Sequence, residues 1–551
     1  MNHLLRTTFC LYLAAVWFGS LGRAQDVSIP DPGLNAAIRE ALQKPSDPLT
    51  VSDLLTLTNL AARSRNIGSI EGLGAASNLQ ALDLEWNNLT TFSLPGELTN
   101  LITLNLSFNS ITQCTFPNGP LSLTTLDLAD NRLASLSLPE NLNGLTSLNL
   151  EDNQFASFDL PSNLTSMVFL DVGFNSLTEF SVPGGLTNLA TLIVAGNQLR
   201  NVILPDGLTA LTDLDLRINL LTNFDLSLNL GSLKELDLDE NALNSFDVPA
   251  GMTNLSILDL SFNSLTSLSL PVDLTNLLVL DLEFNRLATL DLPPHLIGLR
   301  QLLLRSNELT RFVLPADMAA LTRFDIGENN LTQIALPAGL GQLDSIRISG
   351  NTSLTSLTLP VGMTNLTGIF LRNNQLTNLV LPSDLSRLVT LDALANQLTS
   401  LTLPPGLTSL SELALSGNLL TNVTLPPDMT QLTWLVLNGN PLTTLVLSEP
   451  MAATNLAVTV ASLRADGISV YTYPLAIELT PVRQASGAFQ FALTGPPGTY
   501  TVLASADITA WSSLARSPTA SARLYLPTQK LVWPRRNFIA LSGKRLPQTW
   551  C

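Results

Sequence analysis

From Leu79 to Ala453 apolar residues recur in one frame, L-x-x-L-x-L-x-x-N-x-L-T-x-L-x-L-P-x-x-L-x-x, which repeats every 22 residues through 17 copies. A fixed period of this length marks a unit too short to bury its own apolar face, so copies must stack into a solenoid. Clean copies are LTTLDLADNRLASLSLPENLNG from Leu123 and LSILDLSFNSLTSLSLPVDLTN from Leu255. Positions 4 and 6 are leucine and positions 3, 5 and 7 vary. That two-residue alternation predicts a short strand with leucines inward and the variable residues outward. Successive strands then form one parallel sheet. Asparagine at position 9 (Asn87, Asn109, Asn131 and onward to Asn440) ends each strand. Its amide both donates and accepts, so it is expected to pair buried backbone groups of the turn and the next coil. The second half, L-T-S-L-S-L-P, alternates as well and predicts an extended return. Proline at position 17 stops it. One copy, from Leu343, carries an extra residue, so Asn351 is followed by Asn374.

The ends break the frame. Phe9 to Phe18 is apolar, and Gly22-Arg23-Ala24 offers a small-x-small cleavage site. This predicts an export signal over 1–24 and a mature start at Gln25. Residues 25–78 read as an N-terminal helical cap plus a degenerate repeat. Asp31-Pro32 supplies an N-cap and a first-turn proline. Leu34, Ala37, Ile38, Ala41 and Leu42 follow at helical spacing, and Arg65 stands where asparagine belongs. After Ala453 short alternating runs (LAVTV, GISVYTY, FQFAL, TYTVLAS) predict a small β module over 454–515. From Arg516 to Cys551 there are 7 basic residues and no acid, which reads as a poorly ordered basic tail.

Composition narrows the function. The formal net charge is −17, and the repeats hold 35 acids against 12 basic residues. Nucleic acid and anionic membranes need a basic footprint, so the balance argues against both as partners. No later stretch is apolar enough to predict a membrane span. Cys114 sits at an apolar repeat position and reads as a buried thiol, with no disulfide framework and no cofactor expected. Beyond the signal the one histidine is His295, and no nucleophile, zinc or phosphate motif occurs. The chain is therefore expected not to be an enzyme.

The in-register signature in LDLSFNSL at Leu258 and LDLEFNRL at Leu280 resembles the leucine-rich-repeat family. The segment IPDPGLNAAIREAL at Ile29 is similar to the start of secreted bacterial leucine-rich-repeat proteins of the internalin type, although the S-L-P returns differ from theirs. The resemblance implies a β-dominated leucine-rich-repeat solenoid with a parallel concave sheet and extended convex segments. A small N-terminal helical cap and a small C-terminal all-β module complete the expected architecture. It also implies extracellular protein recognition on the sheet.

The candidate partner-binding residues are therefore the outward ones. Acids gather at Asp213, Asp215, Glu235, Asp237, Asp239, Asp259, Asp281 and Glu283, opposed by Arg217 alone. Further on, Arg305, Arg323, Arg347 and Arg372 form a basic group. Phe169, Phe370 and Trp434 are expected outward on the sheet as anchors. Trp86, Phe108, Phe174, Phe262 and Phe284 share position 8, at the rim. Asp237-x-Asp239-x-Asn241 imitates a calcium loop but lacks its glycine. The expected function is a secreted or cell-surface, non-catalytic protein that binds a protein or peptide. The alternatives are a polysaccharide-binding or structural cell-envelope role and, more remotely, glycoside hydrolysis by a carboxylate pair.

Overall fold

The computed structural model describes residues 25–119, 121–226 and 230–483, with 489–496, 500–505, 512–517, 523–525 and 538–542 beyond them. The export signal expected over 1–24 lies outside the described residues. Two compact units divide the chain at Leu277 and Leu278.

The first unit opens with helix α1 (Pro32–Leu42). The Asp31 carboxylate accepts the Leu34 N–H at 2.9 Å, and its other oxygen accepts Gly68 N–H at 2.8 Å. One side chain thus caps the helix and ties it to the degenerate coil. Leu34, Ala37 and Ile38 are buried as expected, whereas Ala41 is exposed. A short helix α2 (Val51–Leu54) carries a reciprocal cap between Thr50 and Asp53. Hydrogen bonds from Lys44 and Thr50 hold the Asp53 carboxyl down at about 2.

The repeats behave as their period dictates. Parallel strands run from Asn59–Ala61 through Ala81–Asp83 and onward to Ile257–Asp259, each pairing with the next. Register is fixed by the repeat, so Leu60 faces Leu82 and Leu214 faces Leu236. The leucines at positions 4 and 6 are fully buried, Leu236 and Leu238 among them. The return is extended and locally ladders, as in Thr91–Ser93 with Gln113–Thr115. Cys114 lies inside this ladder, and burial pushes its thiol up to about 12.

Asparagine closes the coils, but toward the preceding coil and not, as the sequence led us to expect, the next one. Asn131 accepts the Ile111 N–H at 2.9 Å and donates to the Leu106 carbonyl at 3.0 Å, both in the preceding coil. It also donates to Leu128 and Ala129 of its own turn. Each coil is therefore completed by its successor. A short polar side chain satisfies groups that would otherwise cost about 1–3 kcal/mol each when buried.

The second unit repeats this plan. Its parallel strands run from Val279–Asp281 to Trp434–Val436 in the same register. After the last copy the structure departs from the expected all-β module. LAVTV lies not in a strand but at and within helix α4 (Ala457–Ala465), which follows the short α3 (Glu449–Ala453). Leu456, Val460 and Leu463 are buried on one side of it, so helical spacing prevails over the apparent alternation. Ser469–Tyr473 then pairs in parallel with Thr444–Ser448 and extends the return ladder past Ala453. Glu478–Arg483, Phe489–Thr494 and Arg523–Tyr525 form one antiparallel sheet. Tyr500–Ser505, Ser512–Ser517 and Phe538–Ser542 form another. Three segments of the basic tail, Arg516 and Ser517 among them, thus pair as strands where the sequence predicted none; its other residues lie outside the described ones. No helix among the described residues is long and apolar enough to cross a membrane.

Candidate functional site

Positions 3, 5 and 7 carry whatever the sheet presents to solvent. Position 5 has a further duty that periodicity alone did not disclose. Its carboxylate accepts the backbone N–H two residues on: Asp237 from Asp239 at 3.0 Å, Asp259 from Ser261 at 2.9 Å, Asp281 from Glu283 at 2.9 Å. Asn105 and Asn149 do the same with their amide oxygens. This Asx turn ends the strand and needs a short side-chain acceptor. The L-D-L motif is therefore a turn-forming residue that also offers a second oxygen to the surface.

In the first unit three adjacent strands bring the expected acids together. Asp213 faces Glu235, and Asp215 faces Asp237, which faces Asp259. Asp239 follows just past the strand and accepts the Ser261 hydroxyl at 2.8 Å. Arg217 is the one cation among them, with its guanidinium 3.3 Å from Asp215 and 3.7 Å from Asp237. Burial, reinforced by the neighbouring Asp215 and Asp259 charges, raises the Asp237 carboxyl to about 6. Asp215 and Asp259 are raised too, again chiefly by burial. Phe169 lies two strands earlier, half-buried in register with Thr191 and apart from the acids. The sequence implied a wholly solvated column; instead Asp171 is only 5 % exposed and its carboxyl rises to about 7, mainly through burial.

In the second unit Asp281 ends the first strand and Glu283 lies just past it, followed by Arg305 just past the next strand and Arg323 at the start of the one after. Arg323 is exposed in register with Gln301 and Ser345. Arg305 pairs with Glu328, and Arg372 pairs with Asp392 at 3.0 Å. The Arg347 guanidinium lies over the Phe370 ring at 4.2 Å. Together they line an open groove of about 550 Å³. The stack was missed in the sequence, yet it was legible in column: position 5 reads Asp325, Arg347, Phe370, Asp392 in successive copies. Trp434 is 48 % exposed three strands beyond Phe370 and does not join the groove. The calcium-like triplet is already engaged: Asp237 caps its turn, and Asn241 donates to Leu216 and Leu238.

At the rim, position 8 has a positive φ in nearly every coil, from Trp86 (57°) and Phe108 (54°) to Ala395 (55°). Trp86 and Phe108 stack with centroids 4.3 Å apart and planes 5° from parallel. Trp86 is 57 % and Phe108 36 % exposed. With Asn109, Ser110, Asp130 and Asp152 they line a hollow of about 380 Å³.

Comparison with known proteins places this geometry. The model of the BspA type leucine rich repeat region matches in 6 copies across residues 84–169, 168–269 and 327–443. No curated protein matches. Among solved structures the chain is similar to YopM from Yersinia enterocolitica, with 27% identity, a TM-score of 0.58, and coverage of 80% of this chain and 92% of that one. It is also similar to the functional domain of InlJ from Listeria monocytogenes, at 21% identity and a TM-score of 0.51, covering 86% and 97% respectively. The Toll–Spatzle complex of Drosophila aligns at 19% identity and a TM-score of 0.51, over 80% of this chain and 69% of that one. The InlJ domain includes a cysteine ladder, whereas the repeats here hold Cys114 alone.

Proposed function

Since the chain belongs to the BspA-type leucine-rich-repeat family, we propose that it is a secreted or cell-surface, non-catalytic recognition protein that takes a protein or peptide partner on the solvent face of its sheet. One observation carries the reading. Five outward carboxylates on three adjacent strands, with Asp239 beside them, face one arginine, so the first unit presents a strongly anionic strip. Such a strip steers a basic surface and fixes its orientation. In the second unit the exposed Arg323 and the groove of Arg305, Arg347, Phe370 and Arg372 would receive a partner segment of mixed charge, with Trp434 as an apolar contact, and Phe169 would serve as an apolar contact in the first unit. Asp281 and Glu283 would supply acidic contacts within the second unit.

The test must spare the turn-forming aspartates, because reversing them breaks an Asx turn as well as a charge. Asp213, Glu235 and Asp239 are free of that duty. Replacing all three with lysine is expected to abolish capture of partners from the native culture medium, read by cross-linking mass spectrometry, while the melting temperature holds. Undiminished capture by the triple variant would remove the sheet from the reading.

A further inference from the structure

The hollow at the rim of the first unit combines two chemistries, a stacked aromatic pair and a pair of acids. Position 8 of four successive coils reads Trp86, Phe108, Asp130, Asp152. The two rings are exposed and stacked on one another. Asp130 and Asp152 lie close enough to repel: burial and the neighbouring Asp152 charge both raise the Asp130 carboxyl. Among the described residues neither carboxylate has an ion-pair partner. All four residues line one hollow with Asn109 and Ser110. Asn109 itself is committed to the ladder, accepting from Leu89 and donating to Leu84 and Leu106, so the floor is rigid.

An occupant must offer an apolar length to the rings and a positive charge to the carboxylates. A neutral saccharide supplies the first without the second, and a metal ion the second without the first. Lysine and arginine supply both in one side chain, with an aliphatic stem that lies along apolar surface and a cationic head that stays in water. The rings attract the same head through their quadrupole.

We propose that this hollow receives a lysine or arginine side chain of a protein partner, its stem on Trp86 and Phe108 and its head between Asp130 and Asp152. The proposal rests on the reading of the chain as a protein-binding solenoid. It adds a second contact, at the rim, to the one on the sheet.

The experiment is isothermal titration of the full chain with an acetylated, amidated Gly-Gly-Lys-Gly-Gly peptide, its norleucine twin and chitotetraose. The lysine peptide is expected to bind saturably. The norleucine twin should bind at least tenfold more weakly, and so should the lysine peptide to Trp86→Ala or to the double variant Asp130→Asn, Asp152→Asn. Asparagine tolerates the left-handed backbone, so the double variant keeps its fold, which its circular dichroism melt checks. No saturable heat up to about 10 mM, tenfold weaker than millimolar affinity, overturns the proposal. Equal binding of the norleucine twin, an unchanged double variant, or binding of chitotetraose in place of the peptide overturns it as well. The sheet triple variant should titrate like the native chain. Loss of partner capture with an intact rim titration, or the reverse, therefore separates failure of one reading from failure of the other.

Discussion

A left-handed backbone at position 8 is a cost this chain meets many times over. Glycine holds the place at Gly196, Gly350, Gly417 and Gly439 and asparagine at Asn373, the residue types that bear it best. Ile218 does not: it is β-branched, has φ 54° and is 39 % exposed. Its backbone bonds, to the Asp239 carbonyl and from the Asn197 N–H, do not depend on its side chain. Ile218→Asn is therefore expected to raise stability by about 1 kcal/mol, read from urea melts. The ladder asparagine is the opposite case. Asn197 accepts from Leu177 and donates to Val172, Val194 and Ala195, all within 3.1 Å. Asn197→Ala strands these buried groups and should cost roughly 2–4 kcal/mol in the same melts.

Within the strand and its turn, position 5 links pH to stability. The Asp171 and Asp237 carboxyls stand at about 7 and about 6 in the folded chain, above their unfolded value near 3.8. The folded state thus holds these protons more tightly than the unfolded state. Their contribution is fully present below the unfolded value and is lost as pH rises through about 6 to 7. Stability should fall between pH 4 and 7, and Asp171→Asn should flatten that fall and add on the order of 2 kcal/mol at pH 8. The substitution keeps the Asx turn, because Asn105 and Asn149 already make it. A variant that melts like the native chain at about pH 4 and again at about pH 8 would refute this. The strands themselves were legible in the sequence, since a period of 22 with leucine at positions 4 and 6 leaves one way to bury the apolar set. The Asx role of Asp237 was not, because a surface acid and a turn acceptor look alike without a backbone. Nor was α4, where VTVAS alternates and reads equally as strand. The rim turn was half visible: Trp86 and Phe108 hid it, while the glycines in the same column disclosed it.

Across the whole chain, charge is the common term. A net charge of −17 concentrated in the repeats opposes compaction. Raising salt from about 0.05 to 0.5 M shortens the screening length and is expected to raise the melting temperature, while slowing association with a basic partner. A melt insensitive to salt would mean that repulsion among the acids does not limit stability. The backward reach of Asn131 and its equivalents has a different kind of consequence. A coil cannot satisfy its own corner; it waits for the residue 20 positions later that fills it, as Ile111 waits for Asn131. Growth from the amino end therefore always leaves one open corner at the advancing tip. A chain delivered amino end first, through a ribosome or a narrow pore, can close like a zip with its slider moving one way, starting from the amino-terminal coil that Asp31 ties to α1.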